Sequence, residues 1–148
     1  MTDTSTARRI LAARALRLGG GLLWIAAAIH FVALPLLQST VARNLPRDAY
    51  EFVWPPFAFS FILDGVLLLP LGFTALYSAG GVLRSERWAT VLGLSTAIVV
   101  LILPVLIVLV MGVRYFSATP FLVATCVVLA AGLAMTLPLL RLVRNAAA

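Results

Sequence analysis

Lysine is missing from this chain, and cysteine and histidine occur once each, as Cys126 and His30. A single cysteine excludes an intrachain disulfide and any cysteine-based metal site. Within an apolar run, Cys126 reads as a small hydrophobe. The lone histidine leaves no partner for a multi-histidine metal centre. Charge is scarce as well. Only 11% of the 148 residues are charged, against about a quarter in a soluble domain. No glycine-rich phosphate loop is present, because Gly19, Gly20 and Gly21 stand at an apolar boundary without the strand such loops need. No paired-carboxylate site occurs. Ser60, Asp64 and His30 supply the residue types of a hydrolytic triad. Ser60, however, lies one turn from Asp64 on the same helix, and nothing marks an activated nucleophile or oxyanion hole. These absences predict no enzyme, no catalytic residue and no bound metal. The missing lysine, beside abundant Ala, Leu and Val, reads as the bias of a GC-rich genome.

What remains is apolar. Hydrophobic residues make up 63% of the chain and its mean hydropathy is +1.11. Four apolar runs follow one another, at 19–38, 53–77, 88–113 and 119–140. Each reaches the roughly 20 residues that an α-helix needs to cross a bilayer core. The segments between them are too short to fold alone. The expected architecture is an all-α integral membrane four-helix bundle, up-down-up-down, in a single membrane domain 1–148. Residues 1–18 form a basic N-terminal segment. The first apolar run is longer than the 7–15 residues of a signal-peptide core, and no small-x-small cleavage site follows it, so a retained first span is expected.

The net charge of +6 suggests nucleic acid until the charges are located. Arg8, Arg9, Arg14 and Arg17 precede the first span, Arg84 and Arg87 separate the second from the third, and Arg141 and Arg144 follow the fourth. The opposite side carries Arg43, Arg47 and Arg114, with Asp48 and Glu51 beside them. This asymmetry excludes a nucleic-acid surface. It predicts both termini in the cytoplasm, in a multi-pass protein of a bacterial inner membrane. Tyr50, Trp54 and Tyr115 fall at the outer boundary, Tyr77 and Trp88 at the inner one, as interfacial aromatics do. Residues 6–18 mix Arg with Ile, Leu and Ala. They suit either a topology signal or a short helix lying on the inner surface.

The connections carry their own signals. "STVARNLPRDAYE" reads as an outer loop, broken by Pro46. Its Arg43, Arg47, Asp48 and Glu51 form a self-paired polar loop, or alternatively a lid or partner-docking surface. "FVWPPF" reads as the opening of the second span, with its prolines in the first turn. Gly80 and Gly81 suit a helix end and tight turn, and Thr119 before Pro120 suits a helix start. Pro35, Pro70, Pro104 and Pro138 place one proline inside each span. "AIHFVALPLL" at 28–37 set against "AIVVLILPVL" at 97–106 hints at an internal repeat.

Asp64 is the one acid within an apolar run. His30 lies near the middle of the first run and Asp64 near the middle of the second, so antiparallel neighbours bring both to the same depth. A charged group there costs about 2.5–3.5 kcal/mol on insertion scales unless it is paired or wetted. The expected site is therefore an intramembrane polar pair, His30 and Asp64, inside the bundle, with Ser60 one turn before Asp64 as a supporting hydroxyl. Ala89, Gly93 and Ala97 form a close-packing seam, inside the bundle or between subunits.

The first functional expectation is a non-catalytic accessory or oligomeric subunit, whose partners are the lipid bilayer and a homo-oligomer or larger membrane complex. One alternative is a proton-coupled small-molecule carrier using Asp64 and His30. Another is a binder of quinone, lipid or haem between helices. No cofactor is expected within one chain. Met111 and Met135 are poorly placed to complete a haem site with His30, which leaves haem held by His30 across a dimer.

Overall fold

The computed structural model describes residues 4–112 and 119–146, and the chain is helical almost throughout. Four helices run in order: α1 (Thr4–Asn44), α2 (Arg47–Leu83), α3 (Arg87–Met111) and α4 (Thr119–Ala146). Each holds a stretch long and apolar enough to cross a membrane. In hydrocarbon a spanning segment must satisfy its own backbone, and an α-helix does so without a partner. Large apolar side chains remain outside. Val32, Leu36, Leu109 and Val110 are 69–80% exposed, a surface that matches lipid and not water. The outer turn at Arg114 and Tyr115 lies outside the described residues.

Contacts join α1 to α2, α2 to α3, α3 to α4 and α4 back to α1. Small residues set these approaches, because van der Waals fit drives helix association in membranes. A Cβ on Gly20 would stand 2.8 Å from the Gly72 carbonyl oxygen. One on Gly72 would collide with the Trp24 indole, whose Nε1 donates to the Leu69 carbonyl at 3.1 Å. Gly19 lies against Met135, Gly81 against Ala89, and Gly132 against Leu101. Leu16, Leu23, Val82, Val100, Met135 and Leu139 fill the space between the helices. Ala89, Gly93 and Ala97 are all buried within this packing, with Gly93 against Leu16 and Ser78. Between α2 and α3, the Thr74 and Thr96 hydroxyls share a hydrogen bond of 3.0 Å.

Three local expectations differ from the structure. Residues 6–18 do not form a separate surface helix. They are the start of α1, and Ala12, Ala13 and Leu16 are buried in the bundle. Alanine and leucine at i, i+1 and i+4 give that segment an apolar stripe to bury, while Arg8, Arg14 and Arg17 stay exposed.

The long outer loop is not a loop either. Helix α1 continues to Asn44 and α2 begins at Arg47, so the connection is Leu45–Pro46. Polar side chains cap the end of α1 from within. Arg43 Nε donates to the Ser39 carbonyl at 3.0 Å and Asn44 Nδ2 to the Thr40 carbonyl at 2.8 Å. Pro46 accepts the first helical bond of α2, from the Tyr50 N–H at 2.8 Å. Pro55 and Pro56 consequently lie inside α2, two turns past its start.

At the other turn, α2 runs through Gly80 and Gly81 to Leu83. The left-handed position is Ser85, at φ 65°. The Glu86 N–H donates to the Gly81 carbonyl and the Ser85 N–H to the Val82 carbonyl, the pair of bonds that defines a Schellman end. Gly81 is needed instead for its close contact with Ala89.

Candidate functional site

The bundle is packed at one end and open at the other. Among the described residues none is buried between Ala28 and Asn44, between Arg47 and Asp64, or between Leu122 and Ala130. On α3 only Pro104 is buried beyond Val100. Gly20, Gly65 and Gly72 bring α1 and α2 together. Beyond Gly65, toward the Leu45–Pro46 connection, the same face of α2 carries Phe61, Phe57, Trp54 and Tyr50, each half-buried.

His30 and Asp64 stand where the packed half gives way to the open one. Leu16, Leu23 and His30 recur every seven residues, so His30 continues the inward face of α1. Asp64 precedes Leu68, Ala75 and Val82 by four, eleven and eighteen residues. All three are buried, which places Asp64 on the inward face of α2. Yet Asp64 itself is exposed. With Gly65 and Leu68 buried beside it, the exposed carboxylate stands at the edge of the packed half. The sequence expectation places this carboxylate inside the bundle, and the residue is exposed on that face.

Gly65, next to Asp64, lies against the His30 Cβ, but no hydrogen bond joins His30 to Asp64. The imidazole is committed elsewhere. Its Nδ1–H donates to the Ala26 carbonyl at 2.8 Å. The ring rests on Phe61, with centroids 4.6 Å apart. A Cβ on Gly65 would stand 3.0 Å from the His30 Cβ, so the absence of a side chain at 65 seats the histidine between the helices. Ser60 is exposed one turn from Asp64 and makes no hydrogen bond to it. Across the opening, Leu103 and Ile107 continue the face of Val100 on α3, and Thr125 and Val128 lie near that of Met135 on α4. All four are half-buried.

The polar residues once assigned to a loop are helical. Arg47 and Glu51 form an exposed pair at 3.1 Å along α2, Asp48 lies in the first turn of α2, and Arg43 folds back on α1. Among the described residues, no three of His, Cys, Asp and Glu gather where they could hold a metal ion.

One feature escaped the sequence reading. Tyr50, Trp54, Phe57 and Phe61 form a continuous aromatic stack, with successive centroids 6.0, 5.8 and 6.0 Å apart, and His30 extends it. The spacing of four, three and four residues places them on one helical face. That signal was present in the sequence. Assigning residues up to Glu51 to a loop cut Tyr50 from the series. The stack climbs about 16 Å along α2, from the α1–α2 connection to the polar pair. At its connection end the Tyr50 hydroxyl accepts from Gln38 Nε2 at 3.2 Å, tying α2 to α1.

The chain thus presents a carboxylate and an imidazole at the foot of an aromatic wall. No protein-family model, curated protein or solved structure matches it.

Proposed function

We propose that this chain is a small proton-coupled carrier of a bacterial inner membrane, built as an up-down-up-down bundle with both termini in the cytoplasm. The observation that carries the reading is the exposure of Asp64 on an inward-facing position. A carboxylate that merely clasped two helices would be enclosed and hydrogen-bonded to its partner. An open carboxylate beside an imidazole can exchange protons with water, and intramembrane ionisable groups commonly mark such paths. When a molecule enters the opening, the pair releases a proton. When it leaves, the pair takes one up.

The test is infrared difference spectroscopy of the full chain in lipid nanodiscs, between acidic and alkaline buffer. A carboxyl C=O band should appear on acidification and be missing from Asp64→Asn, which can still hydrogen-bond but cannot titrate. A difference spectrum that Asp64→Asn leaves unchanged means Asp64 exchanges no proton, and the carrier reading falls.

A second reading, an accessory or oligomeric subunit, is supported by a different feature. The outward face of α1 carries a shallow apolar groove of about 330 Å³, lined by Ile25, Ala28, Ile29, Val32, Ala33 and Leu36. Native mass measurement from lipid decides whether another chain occupies it.

A further inference from the structure

We propose that the opening binds an amphiphilic organic cation with a flat aromatic part, its charge against the Asp64 carboxylate and its ring along Phe57 and Phe61. The proposal rests on the reading of Asp64 as an exchangeable site and names what replaces the proton there.

Two independent features select the same sign of charge. The first is that, among the described residues, no arginine acts on Asp64. The charged or titratable group facing Asp64 from α1 is His30. Helix α3 carries no charge from Trp88 to Val110, and α4 none from Leu122 to Leu140. Arg47 is occupied with Glu51 near the α1–α2 connection. An ionised carboxylate in such surroundings is costly without a counter-charge. The second is the wall itself. Tyr50, Trp54, Phe57 and Phe61 are each half-buried, so each still presents ring surface. Aromatic faces carry negative potential, attracting cations and repelling anions. They also give a flat ring a surface to stack on.

A neutral quinone fits this site less well. Its carbonyls need hydrogen-bond donors. The His30 Nδ1–H is already given to Ala26, and an ionised Asp64 only accepts. A cation with an N–H or a diffuse positive ring needs an acceptor and a counter-charge, and Asp64 supplies both.

The experiment uses the full chain in nanodiscs of zwitterionic phosphatidylcholine at alkaline pH, with empty nanodiscs as reference. Three probes share one ring system: N-methylacridinium (a permanent cation), acridine (neutral at that pH) and acridine-9-carboxylate (an anion). Binding is read by equilibrium dialysis. N-methylacridinium should bind at least about tenfold tighter than acridine, a preference of about 1.4 kcal/mol, and the anion more weakly than both. Asp64→Asn should bring the cation down to the level of acridine, Asp64→Glu should retain the preference, and Phe57→Leu should weaken both rings. Equal binding of cation and neutral ring by the unmodified chain overturns the proposal, without reliance on the folding of any variant. So does a cation preference that survives Asp64→Asn. The two readings fail separately. If the infrared band titrates but the three rings bind alike, the carrier stands and this ligand class falls. If the cation binds at Asp64 but no band titrates, the site stands and proton coupling falls.

Discussion

Ser78 shows how much a single polar atom weighs in this molecule. Its side chain is fully buried beside Gly93, and its Oγ has no hydrogen-bond partner. Thr96 and Thr136, by contrast, each return a hydroxyl to a carbonyl four residues back, at 2.9 and 2.7 Å. A buried hydroxyl without a partner forfeits its hydration and gains nothing in exchange. Ser78→Ala removes that cost and keeps the Cβ contact, so it should stabilise the fold by about 1 kcal/mol. Unfolding in mixed micelles measures this, and a lower midpoint for the alanine variant would show that Ser78 has found a partner. The polar pair raises the opposite case. His30 and Asp64 were legible in the sequence because an ionisable residue stands out in an apolar run. Their relation was not. Equal depth on two helices says nothing of which imidazole nitrogen is already bonded, and it is the Ala26 carbonyl that decides this. Nor could depth reveal that Asp64 is exposed while Gly65 and Leu68 beside it are buried.

Among the elements, the turn between α2 and α3 departs furthest from its sequence signals. Two glycines stand near the end of α2, and neither takes the left-handed position. Ser85 does, and a non-glycine residue there costs about 1–2 kcal/mol. Its hydroxyl accepts a hydrogen bond from exposed Arg9, which returns little in water. Ser85→Gly should therefore raise stability by roughly 1 kcal/mol despite losing that bond. A fall in the unfolding midpoint would mean that the Arg9 contact outweighs the backbone strain. Nearby, the exposed Arg84–Glu86 pair holds the Glu86 carboxyl below its usual range through a hydrogen bond. The resulting small stabilisation is present at neutral pH and fades as pH falls through the lowered value. The cores of the four helices were legible, because each apolar run exceeds a membrane span. Their ends were not. Polar residues such as Ser39, Arg43 and Asn44 suit a loop on composition, yet they extend α1 by bonding to its own carbonyls. Pro55 and Pro56 suit a first turn, yet α2 starts earlier, at the break that Pro46 imposes.

At the scale of the whole molecule, arginines far apart in sequence gather at one end. Arg9 of α1 reaches Ser85 in the α2–α3 turn, and Arg8 and Arg141 line one cavity between α1 and α4. Arg84 and Arg87 flank the same turn, and Arg14, Arg17 and Arg144 belong to the same terminal segments. The packed half of the bundle lies toward this end, and the opening beside Asp64 lies toward the other. Arginine near a membrane is retained on the cytoplasmic side during insertion. The proposed topology, with both termini in the cytoplasm, puts the closed end toward the cytoplasm and the aromatic wall toward the outside. A reporter fused after Ala148 should therefore read as cytoplasmic, and one inserted at Arg47 as external. Arg47 lies at the start of α2, so an insertion there interrupts no span. The orientation also fixes the side from which a molecule first meets the site. An impermeant thiol reagent added outside intact cells should label a cysteine placed at Trp54, in a Cys126→Ser background, and should leave one placed at Val82 unlabelled. Val82 is buried in the packed half. Reporters on a common side, or labelling of position 82 and not of position 54, would turn the molecule over and place its opening toward the cytoplasm.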